Sequence, residues 1–313
     1  MFESLLALIR AHETIIIHRH KNPDGDALGC QIGLKHIISH NFPEKKVYTV
    51  GDAAGRYAFM ANSVMDEIPD AAYENALAII LDTSAKALIS DDRYSLAAHT
   101  ARVDHHIFCE KIAETEITDT SYESCCGLIA EFALESGLAL NLTAAQSLFT
   151  GMVTDSGRFR YDSTSKNTHR LAAFLLEQPI NTNEIYLQLY ENDFAQMQLR
   201  AQFILKIRLT EKQVAYIYTT KEEMAQLHAD IFSVSRGMVG TMADIKNVPI
   251  WVNFTETDQG VLCELRSSRF NINPIAVKYG GGGHAKASGA TVKSREEAMQ
   301  MLSDLNDLAG EMQ

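Results

Sequence analysis

The chain has no C-x-x-C spacing, no apolar run of membrane-spanning length, no overall basic excess and hardly any low-complexity sequence, and each absence removes a class of protein. Its five cysteines, Cys30, Cys109, Cys125, Cys126 and Cys263, form an odd set. That argues against a disulfide framework and a thiolate zinc site, and it fits reducing surroundings. No stretch approaches the ~20 apolar residues of a membrane helix, and the N-terminal MFESLLALIRAHE is broken by Glu3 and Arg10. A cytoplasmic protein without a membrane partner is expected. A formal net charge of −12 works against binding along a long phosphate backbone, which proteins usually follow with a basic stripe. One absence is local: Leu265 to Arg295 contains no Asp or Glu but carries Arg266, Arg269, Lys278, Lys286, Lys293 and Arg295. An anion site in an acidic protein is the natural reading, with a solvated basic face as its alternative.

What is present reads as two globular domains: 313 residues, 46% hydrophobic and 22% charged. The first half alternates strand and helix signals. Strands are expected at Thr14 to Ile17, Lys46 to Val50, Ala76 to Leu81 and Thr100 to Val103. Helices are expected at about Ala27 to Ser39, Glu123 to Glu135, Thr143 to Thr154 and Lys166 to Glu177. The fold class is therefore α/β, with a mostly parallel sheet covered by helices. A long helix-like stretch from Asn183 to Ile207 reads as a linker helix between domain 1–190 and domain 191–313. The smaller C-terminal α/β domain offers a strand at Val214 to Thr219, a helix near Ser235 to Ile245, and a hairpin of Ile250 to Glu256 and Val261 to Arg266.

Four segments put Asp or His directly after an apolar strand or at a helix–loop boundary, where open α/β sheets build their sites. They are His20, Asp24 and Asp26 in HRHKNPDGDALG, Asp82 after Ala78-Ile79-Ile80-Leu81, Asp104-His105-His106 after Arg102-Val103, and Asp155 in GMVTDSGRF. Each alone has a plainer reading as an Asx turn, a helix cap or a structural histidine pair. Together they supply mixed carboxylate and imidazole donors, which suit Mn²⁺ or Mg²⁺ better than a thiolate-rich zinc site and imply two-metal phosphoryl hydrolysis, with ions ~3.5–4 Å apart. The Gly280 to Gly283 run followed by His284 allows close backbone approach and turns N–H groups towards an anion.

HRHKNPDGDALG, ILDTS, VDHHI and GMVTDSGRF resemble the four motifs of the DHH phosphoesterase superfamily, and GGGGHAKASGA resembles the signature of the DHH-associated C-terminal domain. The likeness covers nearly the whole chain and is greatest to the bacterial nanoRNase and oligoribonuclease branch. It implies that His20, Asp24 and Asp82 hold one metal ion, that Asp26, Asp82, His105 and Asp155 hold the other, and that Asp82 bridges them. It further implies that His106 contacts the scissile phosphate, that Asp104 orients its neighbours, and that Arg266, Ser267, Gly281, Gly282, Gly283 and His284 grip the substrate, with Arg236 as an additional candidate. Two divalent ions are expected, Mn²⁺ ahead of Mg²⁺. The substrates implied are short single-stranded RNA, hydrolysed to mononucleotides, and 3′-phosphoadenosine 5′-phosphate (pAp). Long nucleic acid is not a substrate on this reading, and a homodimer is left open. The alternative is a cyclic dinucleotide or linear pApA phosphodiesterase, and a nucleotide sensor without turnover ranks behind both. The family commonly carries Asn shortly after DHH, whereas this chain reads Ile107-Phe108-Cys109-Glu110, which puts any phosphate contact from that loop in doubt.

Overall fold

The computed structural model describes residues 1–227 and 229–310, and the backbone divides into two units, Met1–Glu191 and Asn192–Gln313. In the first unit α1 (Glu3–Ala11) leads into β1 (Thr14–His18), α2 (Gly25–Asn41), β2 (Lys46–Thr49), β3 (Leu77–Leu81), β4 (His99–Asp104) and β5 (Thr115–Thr118). The five strands pair in the order β2-β1-β3-β4-β5, all parallel. Strand β5 gave no clear signal in the sequence because only Ile117 of its four residues is buried.

Both faces of this sheet are covered, so the central strands read as continuous apolar runs. All five residues of β3 are buried. Along β1 the pleat sends Ile15 and Ile17 into the core under the helices, and Ile16 into a smaller cluster with Val50, Tyr73 and Ala76. Helices α3 (Cys125–Glu135), α4 (Leu142–Asp155), α5 (Lys166–Leu175) and α6 (Thr182–Tyr190) complete the unit.

One helix contact decides where the site forms. Gly25, Gly29 and Gly33 make a stripe along α2, and a Cβ on them would lie 2.5 Å from Thr154 Oγ1, 2.5 Å from the Ser147 carbonyl oxygen and 2.6 Å from Leu148 Cδ2 of α4. Only hydrogen fits there, so the two helices pack at backbone distance. The C-terminal end of α4, with Asp155, is thereby drawn to the N-terminal end of α2.

The second unit contains α7 (Phe194–Lys206), β6 (Arg208–Leu209), β7 (Val214–Thr219), α8 (Lys221–Gln226), β8 (Ile250–Thr257), β9 (Gly260–Ser267), α9 (Asn273–Lys278), β10 (Gly282–His284), β11 (Ala287–Val292) and α10 (Arg295–Gly310). Its sheet runs β10-β11-β9-β8-β7-β6 with only β7 and β8 parallel. Separate apolar clusters built on Met301 and Leu305 and on Phe203 and Trp251 pack against it.

Two expectations are corrected. The linker helix is interrupted: α6 ends at Tyr190, Glu191 is extended, and Asp193 starts α7 anew by accepting the Gln196 N–H. The helix expected near Ser235 to Ile245 is instead a five-residue π turn, Ser233–Gly237, followed by a 3₁₀ turn, Val239–Met242, because Gly237 and Gly240 weaken a regular helix. No helix among the described residues is long and apolar enough to cross a membrane.

Candidate metal centre

The strand order reverses at β1, with β2 on one side and β3 on the other, and the carboxyl ends of β1, β3 and β4 open into the crevice created there. After β1 the chain turns through Asn22 (φ 53°). Asp24 caps α2, its Oδ1 accepting the N–H groups of Asp26 and Ala27 at 3.0 and 2.9 Å. The loop is tied from behind by Arg19, whose buried side chain donates from Nε to Gln31 Oε1 at 2.9 Å and from Nη1 to Asp52 Oδ1 at 2.7 Å. Asp52 Oδ2 in turn accepts the Asn22 N–H at 2.7 Å. Sequence reasoning passed over Arg19 and Asp52. Arg19 sits between a strand residue and His20 and has no periodic signal of its own.

Asp82 directly follows β3 with φ 49°, a left-handed conformation that costs a non-glycine residue of order 1 kcal/mol or more. Its carboxylate is buried, and Oδ1 has no hydrogen-bond partner among the described residues. An unpaired buried carboxylate oxygen is expensive unless a charge meets it. Around it lie His20 Nε2 at 3.4 Å from Oδ2, with His105 Nε2 at 3.4 Å and His106 Nδ1 at 3.5 Å from Oδ1. His105 Nε2 also lies 3.7 Å from Asp26 Oδ2 and 3.5 Å from Asp155 Oδ2, while His20 Nε2 lies 3.8 Å from Asp24 Oδ1.

These separations are longer than a good hydrogen bond and match adjacent donors on one cation bound at ~2.0–2.2 Å. Three overlapping groups keep their donor atoms within 4.8 Å of one another: His20, Asp24 and Asp82; Asp26, His105 and Asp155; and Asp82, His105 and His106. The electrostatics agree. Burial, reinforced by Asp82 and Asp155, pushes Asp26 well above the usual carboxylate range, and burial raises Asp155 to about 7. Burial opposes charge on His20 and His105, but their carboxylate neighbours outweigh it and raise them to about 11 and about 10. Protons thus gather where a divalent cation would sit, and a cation would displace them. The donor set fits hard divalent metal ions.

Asp26 has a second task that the sequence did not disclose. Its two oxygens accept the N–H groups of Cys125 (2.7 Å) and Cys126 (2.8 Å) at the amino end of α3. Behind Asp104 lies another unexpected residue, Arg102, wholly buried. It binds Asp104 Oδ2 through Nη2 and Glu116 Oε2 through Nη1 at 3.0 Å. Asp104 Oδ1 accepts from His106 Nδ1 at 2.7 Å, leaving His106 Nε2 outside this pair. The signal was available: Thr-Ala-Arg-Val-Asp alternates, so Arg102 and Asp104 share one face of β4. The resulting cavity, of about 210 Å³, is lined by His20, Asp24, Asp82, Ser84, Leu88, His105, His106 and Asp155.

In the second unit the substrate candidates separate. Arg266 Nη2 donates to Glu264 Oε2 at 3.2 Å, and Arg236 Nε approaches Glu264 Oε1 at 3.9 Å, so one acidic side chain gathers both arginines. Ser267 does not join them. It points to the opposite, buried face of β9, where its hydroxyl donates to the Pro249 carbonyl at 3.0 Å and accepts the N–H groups of Arg269 and Phe270.

The glycine run is also partly engaged. The N–H groups of Gly280 and Gly281 close the end of α9 on Val277 and Ala276, and Gly281 abuts the Gly289 carbonyl oxygen, 2.0 Å from where a Cβ would stand. The expectation that this run turns its N–H groups to an anion therefore fails for Gly280 and Gly281. Gly282, Gly283 and the exposed His284 form β10 at the sheet edge.

Residues 14–152 match the DHH family, N-terminal domain, and residues 217–311 match the DHHA1 domain. The chain is similar to the bifunctional oligoribonuclease and PAP phosphatase NrnA of Bacillus subtilis, at 34% identity over 99% of each chain. It is also similar to the probable bifunctional oligoribonuclease and PAP phosphatase NrnA of Streptococcus mutans, at 33% identity over 98% of each. Among solved structures it resembles an exopolyphosphatase-related protein from Bacteroides fragilis, with 25% identity, a TM-score of 0.85 and coverage of 99% and 97% of the two chains.

Proposed function

The chain belongs to the DHH phosphoesterase family, whose members are metal-dependent hydrolases, and from that premise we propose that it hydrolyses short RNA oligonucleotides to mononucleotides and dephosphorylates pAp. The observation that carries this is the convergence of His20, Asp24, Asp26, His105 and Asp155 around the buried Asp82 carboxylate, whose Oδ1 has no hydrogen-bond partner among the described residues. On this reading His20, Asp24 and Asp82 hold one cation, Asp26, Asp82, His105 and Asp155 hold the other, and Asp82 is shared. Imidazole beside carboxylate favours Mn²⁺ over Mg²⁺. When bound, two such cations lower the pKa of an attacking water and neutralise the charge of an in-line phosphoryl displacement.

The remaining roles belong to the chain. Asp104 holds the proton of His106 at Nδ1 and favours its charged form, so that Nε2 donates to a non-bridging phosphate oxygen. Arg102 keeps Asp104 ionised and fixed. Arg266 and Arg236, gathered by Glu264, with the exposed edge from Gly282 to His284, bind the terminal phosphate and sugar. In this division residues 1–190 carry the chemistry and 191–313 select the substrate. The whole-chain net charge of −12, with one local basic stretch free of Asp and Glu, favours short ligands over long nucleic acid. Five unpaired cysteines support a cytoplasmic setting.

The test is a panel of initial rates. Purified protein with Mn²⁺ is offered labelled di- to decanucleotides, pAp, pApA, a cyclic dinucleotide and polyphosphate. Highest rates on di- to tetranucleotides, with turnover of pAp, are expected. Preference for pApA or a cyclic dinucleotide would replace the oligoribonuclease reading with the second-messenger one, and binding without turnover would make the protein a sensor.

A further inference from the structure

The residues that follow His105-His106 are exposed but not loose. The loop leaves β4 after Asp104 and is held there by His106, whose N–H and Nδ1 both donate to Asp104 Oδ1, at 3.3 and 2.7 Å. It is caught again at Glu110, whose carbonyl accepts from Arg102 Nη1 at 3.1 Å and whose Oε1 accepts the Lys86 N–H at 2.8 Å. Between these anchors Ile107 is 80% and Phe108 58% exposed. Lys86 opens the short turn that ends at Leu88, and Leu88, 43% exposed, lines the same cavity as His20, Asp82 and His106. Three apolar side chains are therefore exposed on two segments tied to each other: Leu88 lines the polar cleft, and Ile107 and Phe108 directly follow His106, which also lines it. Phe108 is more than half exposed and makes no aromatic or cation–π contact among the described residues.

We infer that Phe108, flanked by Ile107 and Leu88, is a platform for the nucleobase beside the scissile phosphate. The inference rests on the reading of the cleft as a nucleotide phosphodiesterase. Two residues of extended chain reach at most ~7 Å, so Phe108 lies within about one nucleotide of His106. An aromatic face stacks on any base and asks for no sequence, as a degradative enzyme requires. It also supplies affinity that an acidic protein cannot draw from additional phosphates. Ile107-Phe108 stands shortly after the His105-His106 pair, where the family commonly carries an Asn.

The test compares kcat/KM for a 5′-phosphorylated dinucleotide with that for the same molecule carrying an abasic ribose on one side or the other, using the full chain in saturating Mn²⁺. Wild-type protein should prefer the complete dinucleotide. Phe108→Ala should cut that preference roughly five- to a hundredfold for one of the two abasic positions, the size of one base–aromatic stack. Phe108→Trp should keep it. An unchanged preference in Phe108→Ala, or equal loss in Phe108→Ala and Phe108→Trp, overturns the inference while leaving the phosphodiesterase reading intact. Wild-type protein inert towards dinucleotides would overturn both, and that result is read before any variant is made.

Discussion

Arg102 and Asp104 stand two residues apart on one face of β4, and the buried guanidinium holds the carboxylate that in turn holds His106. Burial alone would raise Asp104, but His106 and Arg102 outweigh it and keep the carboxyl below its ordinary range. Asp104→Asn should therefore fold, retain its metal and lose turnover ten- to a hundredfold, as partners behind a site commonly do when replaced. Metal stoichiometry by calorimetry alongside kcat checks this. Lost metal would place Asp104 among the ligands.

Asp82→Ala should abolish hydrolysis because no neighbouring carboxylate can take its shared place. It should also remove the stabilisation that Mn²⁺ confers, about 2.7 kcal/mol when the ion is at a hundred times its Kd. His106→Ala should keep that stabilisation and lose turnover. Thermal unfolding with and without Mn²⁺ distinguishes the two variants, and full activity of wild-type protein after exhaustive chelation would sink the metal mechanism.

Gly151 of α4 faces Cys126, and a Cβ there would stand 2.2 Å from its sulfur and 3.1 Å from Asp26 Oδ1. Gly151→Ala should cost about 1–3 kcal/mol by overpacking and weaken Mn²⁺ binding through Asp26. Adding Cys126→Ala removes the sulfur and should recover most of both. Denaturant unfolding of the two single variants and the double variant measures the coupling.

Arg266→Ala removes one charge-assisted contact of ~1.5–3 kcal/mol, so KM for dinucleotides should rise tenfold or more. The ratio of dinucleotide to small chromogenic phosphodiester activity should fall with it. A constant ratio would mean that Arg266 supports the fold instead of the ligand.

His18 is buried beside Tyr73, and burial lowers it from 6.5 to about 4 although Asp91 pulls the other way. Because its folded pKa lies below the unfolded one, its contribution is complete above pH 6.5 and is lost as pH falls towards 4. That amounts to about 3 kcal/mol. Unfolding free energies of metal-free protein at pH 7, 5.5 and 4 should fall over this window, and His18→Leu should flatten the fall. An equal slope in the variant would remove His18 as the cause.

Read alone, the sequence determined which atoms are available for chemistry. Apolar strand runs ending in His20, Asp82 and Asp104-His105-His106 put donors at strand ends, since period and strand length are local properties. The hairpin around Asp258-Gln259 was local in the same way and formed as read. Only tertiary structure decided what meets what. Asp155 reaches His105 because the glycines of α2 let α4 approach, a contact between segments more than a hundred residues apart that no local period encodes. Asp26 is divided between the centre and the N–H groups of Cys125 and Cys126 for the same reason. Arg266 and Ser267, adjacent in sequence, part company because β9 is pleated and one of its faces is buried. The break between α6 and α7 at Asp193, and the two short turns in place of a helix after Ser233, turned on capping and glycine. There local signals were present, but the apolar period outweighed them.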